Sequence, residues 1–541
     1  MNKVAILGID GASPVLIKRW RNELPNLNQL MGGGVYGDLE STIPPVTCPA
    51  WPCMFTGRNP GKIGMYGFIS VDVNDDYSIK ISSSQNYQQW SLWKMLNDAG
   101  IPVGILNLAM TFPPHKMDGF LVCGIGAPAS GRSEYTYPSW LKHELEKAVP
   151  GYEPLPPVDM TIHGKEAEYN KILEREIDNR CKAAKYLMDP FSWELFVSVF
   201  FAIDSAQHYF WKHMDDSHPE HKGEEYQDVI KHFYIKVDYA IGELINKLPE
   251  ETNIIVVSDH GFQTCHRDFV VNRWLEKQGL LTLLQQAKHS SGGLLFWRIR
   301  DSLLSTMNPR IVKFIASILP EWLMMKLSIR KKEGYLIAQF YRSIDWSKTL
   351  AYCQGGTGAI RINLKGREPA GIVEPGNDYE KLLDKIICKL REINDPESGK
   401  KINISVFKGR EVYSGEHADE GPDIVFYFDK YMPVGGGWNE SSEWRMPSRP
   451  GWHARNGTFI ACGPDIKSSG KKVDNLKIYD ITPTVLHMFG LPVSDDIDGR
   501  VLTEIFKADS KPGKVAVKKS DTRQKDKIQN RIMKLKKKRL V

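Results

Sequence analysis

Two short apolar runs, each closed by an aspartate and a glycine, constrain this chain more than any other feature. Val4-Ala5-Ile6-Leu7-Gly8-Ile9 leads into Asp10-Gly11, and Ile254-Ile255-Val256-Val257 leads into Ser258-Asp259-His260-Gly261. Apolar, β-prone runs of this length, bounded by polar turn residues, read as buried strands. The expected class is α/β, in which open sheets place ligands outside the carboxyl ends of their strands. Both aspartates fall there. Carboxylate oxygen and imidazole nitrogen are metal donors, although one Asp-His pair after a strand also suits a plain polar turn.

Three further stretches carry chemistry-bearing side chains. Ile43-Pro44-Pro45-Val46-Thr47-Cys48-Pro49-Ala50-Trp51 ends an extended segment, and Pro49 suits the first turn of a helix. Thr47 then lies at or just before a helix N-terminus, where unpaired amides and the dipole favour a developing anion. A hydroxyl held there beside a metal can ionise and act as a nucleophile. A simple helix cap is the other reading of Thr47 or Cys48. Ile203-Asp204-Ser205-Ala206-Gln207-His208 follows an apolar run at 195–201. A helix beginning near Asp204 puts Asp204 and His208 on one face at i and i+4. That is chelating geometry, and it equally fits an N-cap with a surface histidine. Gly451-Trp452-His453 puts a histidine in a loop ahead of the strand-like 458–461.

Taken in order, these elements resemble the alkaline phosphatase superfamily, and within it the type I phosphodiesterase/nucleotide pyrophosphatase-like proteins. Gly421-Pro422-Asp423, Asp480-Ile481-Thr482-Pro483-Thr484 and Asp498-Gly499-Arg500 extend the resemblance to roughly residues 1–506. It implies a three-layer αβα sandwich with a mostly parallel central sheet and an inserted, largely helical cap. It also implies a two-metal site. One divalent ion would be held by Asp10, Asp259, His260 and Thr47, the other by Asp204, His208 and His453. Mixed carboxylate and imidazole donors suit Zn2+, with Mn2+ as the alternative. Thr47 would attack phosphorus, and hydrolysis of phospho-Thr47 would give net retention. Sulfatases of the superfamily carry a modifiable Cys or Ser at this place, with Pro two and Arg four positions on. Pro49 fits that pattern, but Trp51 replaces the Arg and Cys48 is out of register. Nucleotide pyrophosphatases place an Asn downstream of the nucleophile to hold a phosphate oxygen. Phe68 falls at that spacing and reads as a core aromatic. Asn59, Lys62 and Tyr66, with Arg58 beside them, are the candidate substrate contacts in its place.

At 541 residues, 42% apolar and 25% charged, the chain can bury a large core. Ligands running from Asp10 to His453 argue for one catalytic core, residues 1–283 and 343–506, with an insert at about 70–190. Residues 284–342 are rich in apolar and basic residues. They read as a helical cap on the core, or as an interfacial surface meeting a lipid-linked substrate. Pro320 and the charges interrupt any apolar span of membrane length. Residues 507–541 hold 14 basic and 3 acidic side chains; without them the net charge of +6 becomes −5. This tail is expected to be disordered, with adhesion to an anionic membrane or RNA as the sharper reading. Met1-Asn2-Lys3 runs straight into a strand without a signal-peptide pattern, so the expected location is cytoplasmic, at most peripheral to a membrane. The 8 cysteines show no metal or disulfide spacing. Nothing in the sequence specifies an oligomeric state. The sequence points to a metal-dependent phosphohydrolase acting on a phosphodiester or pyrophosphate bond of a small-molecule or lipid-linked substrate. The alternatives are a phosphomonoesterase or phosphomutase of the same superfamily, and a non-catalytic docking protein.

Overall fold

The computed structural model describes residues 3–72, 78–128, 133–155, 164–221, 223, 225–284, 337–355, 357–436 and 441–521. The central sheet and a ribbon beside it use, in chain order, β1 (Lys3–Ile9), β2 (Val35–Glu40), β3 (Val103–Leu108), β4 (Gly119–Cys123), β5 (Thr136–Tyr137), β6 (Leu195–Phe200), β7 (Thr252–Val257), β8 (Gly261–Thr264), β9 (Gly451–Ala454), β10 (Asn456–Cys462) and β11 (Lys471–Lys472). Across the sheet the order is β11-β2-β10-β7-β1-β6-β3-β4-β5, with Leu476–Lys477 also pairing with β2. β1 is parallel to both β6 and β7, and β3 is parallel to β6 and β4. β10 runs antiparallel between β7 and β2. Apart from Lys3, every residue of β1, β3, β6 and β7 is buried. That is why these runs show no polar alternation: helices cover both faces of a parallel sheet.

The helices fall into two sets. α1 (Thr47–Met54) packs against the turn Ile478–Asp480, while α2 (Glu166–Leu187), α3 (Ala202–Met214) and α4 (Val229–Ile245) pack on one another. α2 buries Tyr169, Leu173, Ile177, Cys181 and Ala184, a stripe at spacings of four and three that suits a one-sided helix. The strand register then aims the site. Ile9 pairs with Phe200 and Gly8 with Val257, so β1, β6 and β7 end level with one another. Asp10, Asp204 and Asp259 follow those three ends.

Several expectations change. Residues 70–190 are not an insert: they supply β3, β4 and β5 of the central sheet, and α2. They carry no proposed ligand, so motif order alone passed over them. A second hydrophobic cluster, including Phe269, Trp274, Leu383, Ile386 and Phe426, forms apart from the main core. Around it lies an antiparallel sheet of Ala351–Cys353, Ala359–Ile362, Ile424–Phe428 and Ile404–Lys408. The sequence reading had merged this region with the catalytic core. The helical cap expected at 284–342 lies almost wholly outside the described residues, and an isolated antiparallel bridge joins Leu283 to Ile344. The basic tail is structured at its start: Lys511–Lys514 is helical and Lys519–Ser520 pairs with Val493–Ser494. Its remainder, 522–541, lies outside the described residues. Among the described residues no helix is long and apolar enough to cross a membrane.

α2 is tied down by a buried ion pair. Arg180 Nε donates to Glu176 Oε1 at 2.9 Å, with both side chains almost fully enclosed. Arg180 also donates to the Tyr152 hydroxyl (2.6 Å) and the Pro154 carbonyl (3.0 Å), and Tyr152 in turn bonds Asn107. Burial raises the Glu176 carboxyl, and Arg180 opposes that rise. Arg180→Ala leaves a buried carboxylate without its cation and is expected to cost about 3–5 kcal/mol. Urea unfolding checks this, with a lower midpoint at unchanged slope as the expected result.

Candidate metal centre and active site

The aspartates arrive at the strand ends through tight backbone turns. Gly11 has φ +69°, and a Cβ there would sit 3.2 Å from Asp204 Cα, so the turn after β1 lies against the start of α3. Gly11 N donates to Asp259 Oδ1 (3.2 Å) and Ala12 N to Ser258 Oγ (2.8 Å), which ties the end of β1 to the end of β7. Asp10 is oriented from α1, since Trp51 Nε1 donates to Asp10 Oδ2 at 2.8 Å. The Trp51 ring lies over Gly8, where a Cβ would come within 2.7 Å of it.

Each histidine is held by its other ring nitrogen. His208 Nδ1 is 2.9 Å from the Gly451 carbonyl, His453 Nδ1 is 2.9 Å from the Pro45 carbonyl, and His260 Nδ1 is 3.0 Å from the Gly261 carbonyl. A carbonyl only accepts, so this network assigns the proton to Nδ1 and leaves a lone pair on each Nε2. Those lone pairs converge. His453 Nε2 is 3.1 Å from His208 Nε2, and His260 Nε2 is 3.2 Å from both Thr47 Oγ1 and Asp259 Oδ2. Asp204 reaches His453 Nε2 at 3.5 Å and His208 Nε2 at 3.6 Å, and Asp10 Oδ1 lies 3.7 Å from His260 Nε2.

This donor set fits a cation. Asp10 Oδ1, Asp204 Oδ1 and Asp259 Oδ2 are buried without a hydrogen-bond partner, a costly arrangement unless positive charge meets it. Burial, then Asp259 and Asp204, raises the Asp10 carboxyl well above its usual range. Burial, then Asp204, does the same to Asp259. Burial also lowers His208, and takes His260 and His453 down to about 3, so the imidazoles stay neutral and able to coordinate. Donor atoms cluster as Asp204, His208 and His453, and as Asp10, Asp204 and His260. Asp204 therefore adjoins both groups, although the sequence assigned it to one.

Thr47 is the first residue of α1, 5% exposed, with Val46 extended before it and Pro49 in the first turn. Cys48 is fully enclosed, and burial pushes its thiol up, so it stays protonated. His453 lies in β9, not in a loop, and pairs with Phe262 of β8. The structure thus brings the seven proposed ligands together. The three proposed substrate contacts do not join them. Asn59 caps the next helix through Gly61 N (2.8 Å) and donates to Asp498 and Ser414. Lys62 bonds Asp498 (2.7 Å) and the Asp496 carbonyl, Tyr66 donates to the His417 carbonyl (2.6 Å), and Arg58 pairs with Asp496 (2.9 Å). These groups hold the loop after α1 onto neighbouring chain. Phe68 is 36% exposed rather than in the core.

Trp51 and the Pro45 and Gly451 carbonyls were not singled out from the sequence. Only Trp51 had a signal, as the residue standing where a sulfatase has arginine. Trp51→Phe keeps the packing over Gly8 and removes the bond to Asp10. It is expected to weaken metal affinity about 10- to 100-fold, which metal-buffered titration checks; unchanged affinity would remove Trp51 from this role.

Residues 4–453 match the family model described as type I phosphodiesterase / nucleotide pyrophosphatase. The chain belongs to this family. This type I phosphodiesterase is a phosphoric ester hydrolase of the alkaline phosphatase superfamily, a metal-dependent family. No curated protein matches the sequence. Similar solved structures include murine ectonucleotide pyrophosphatase / phosphodiesterase 5, 14% identical with a TM-score of 0.48, covering 93% of this chain and 100% of that chain. Another is the inactive Thr-to-Ala form of the same murine protein in complex with AMP, 14% identical with a TM-score of 0.49, covering 94% of this chain and 100% of that chain. In this phosphodiesterase the whole proposed ligand set except Thr47 comes from the ends of β1 and β7, from α3 and from the β8–β9 ribbon.

Proposed function

We propose that this type I phosphodiesterase cleaves a phosphodiester or pyrophosphate bond through a phospho-Thr47 intermediate, with two divalent ions held among its buried carboxylates and imidazoles. The observation that carries the reading is the convergence of three Nε2 lone pairs and three unpartnered carboxylate oxygens beside the Thr47 hydroxyl. Asp10, Asp259, His260 and Thr47 would hold one ion and Asp204, His208 and His453 the other. The donors suit Zn2+, with Mn2+ as the alternative. When bound, the ions would favour the Thr47 alkoxide and offset charge on the leaving oxygen.

The chain's own residues do the rest. Thr47 sits at the first turn of α1, where the helix dipole favours negative charge on its oxygen. The Thr47 oxygen attacks phosphorus as the bond to the leaving oxygen breaks. Water then attacks phospho-Thr47 from the vacated side, so two inversions give net retention at phosphorus. Trp51 and the three carbonyls hold the donors in position, which is the protein's main task in phosphoryl transfer. A monoester reading would call on Arg58 and Lys62 to meet the additional phosphate charge. Both are spent on Asp496 and Asp498, which favours the diester or pyrophosphate. The substrate class is a small-molecule or lipid-linked phosphate ester.

Metal analysis of the purified protein, followed by turnover of bis-p-nitrophenyl phosphate and p-nitrophenyl phosphate, tests this. Two divalent ions per chain and preference for the diester are expected. A metal-free, inert protein sinks the reading, and strong preference for the monoester replaces it with the phosphomonoesterase.

A further inference from the structure

Arg449 is a half-buried arginine with no hydrogen bond or ion pair among the described residues. The backbone around it is tightly fixed. Ser448 N donates to Asp268 Oδ2 at 3.1 Å, and Cys265 N donates to the Pro450 carbonyl at 2.9 Å. The segment then lies flush on α3, because a Cβ on Gly451 would come within 2.2 Å of the Gln207 carbonyl and 3.0 Å of Trp211 Cβ. The Gly451 carbonyl receives His208 Nδ1, and His453 follows two residues later. Arg449 is therefore carried to the Asp204, His208 and His453 side of the site. Its charge helps to lower both histidines, although burial is the larger cause. Tyr169 of α2 lies on the same side, 1% exposed, with Tyr209, Ser205, Asp204 and Arg449 around its hydroxyl. Its ring meets Tyr209 edge-on at 5.4 Å.

An arginine on so fixed a stretch of chain, half-enclosed and without a hydrogen bond or ion pair among the described residues, has five donors to offer and fits phosphate oxygens two at a time. Thr47 contacts His260 on the other side of the cluster, and in-line displacement expels the leaving group away from the nucleophile. From this placement we infer that Arg449 is a substrate-binding residue that meets a phosphate on the leaving group, so that the site favours pyrophosphate bonds over diesters with uncharged leaving groups. This rests on the phosphodiesterase reading above and deepens it. Arg58 and Lys62, expected to serve substrate charge, are bound to aspartates, whereas Arg449 was not marked by any motif.

The test compares the metal-loaded enzyme with Arg449→Ala and Arg449→Lys on ATP, bis-p-nitrophenyl phosphate and p-nitrophenyl phosphate. Binding of inorganic pyrophosphate is measured by calorimetry in metal-loaded Thr47→Ala protein with and without Arg449→Ala. In Arg449→Ala, kcat/KM for α–β cleavage of ATP is expected to fall about 10- to 100-fold more than for the aryl diester. Lysine should restore part of the loss, and pyrophosphate affinity should fall by a similar factor. An equal fall on all three substrates, a fall confined to the monoester, or unchanged pyrophosphate affinity overturns the assignment. If the wild type turns over none of the three substrates while pyrophosphate binding still depends on Arg449, the phosphodiesterase reading fails and the subsite stands.

Discussion

Thr47→Ala is expected to lower diester turnover by at least about 10⁴-fold while leaving both metals bound and the melting temperature close to wild type. Removing a nucleophile from a concerted catalytic unit costs losses of this order, because the remaining groups have nothing to activate. No neighbour can take over. Cys48 is fully enclosed with its thiol pushed up by burial, and its side chain belongs to the helix core rather than the ligand cluster. The fold should survive because Thr47 loses only its hydroxyl bond to His260 and one methyl at the first turn of α1. Single-turnover assays with metal analysis on the same preparation check the prediction. Activity near wild type would remove Thr47 as nucleophile, while lost metals would make it a ligand first.

Chelation should have the second largest effect: turnover abolished, recovered on adding Zn2+ or Mn2+, with a large fall in stability. At metal concentrations about 1,000-fold above Kd, binding adds about 4 kcal/mol per site to the folded state. In the metal-free protein, Asp10, Asp204 and Asp259 face one another without a cation. The pH dependence follows from their directions. Asp10 and Asp259 have raised carboxyl pKa values, so metal must displace protons from them. Affinity is therefore full above those raised values and falls as pH drops through them. The imidazoles, neutral down to about 3 at His260 and His453, contribute no such fall near the ordinary histidine range. Calorimetry in two buffers of different ionisation heat reads the released protons. Release that tracks a titration near pH 6.5 would contradict this account, as would a chelated protein with unchanged thermal midpoint.

Much of the candidate site was legible because each proposed ligand belongs to a local pattern. Asp10 and Asp259 end apolar runs, Asp204 and His208 are one helical turn apart, and Thr47 precedes a helix-starting proline. These patterns act within a few residues, and local sterics enforce them whatever the surroundings. The proposed substrate contacts were a different matter. Asn59, Lys62 and Arg58 stand near Thr47 in sequence, but Asp496 and Asp498, more than 430 positions away, claim their polar atoms. No local pattern announces such a partner. The strands at 103–137 were passed over for a related reason. Their residues are ordinary sheet formers with no chemistry, and their place beside β6 depends on long-range pairing.

The sequence by itself determined the donors, their order and the kind of chemistry they support, since side-chain identity and short-range periodicity decide those. Tertiary structure decided how the donors meet. The parallel register levels three strand ends, backbone carbonyls choose the imidazole tautomers, and Trp51 turns Asp10 inward. It also decided which cations remain free, by pairing Arg58 and Lys62 and leaving Arg449 without a partner among the described residues. A charge acts through distance and burial, and both are set by chain segments hundreds of residues apart.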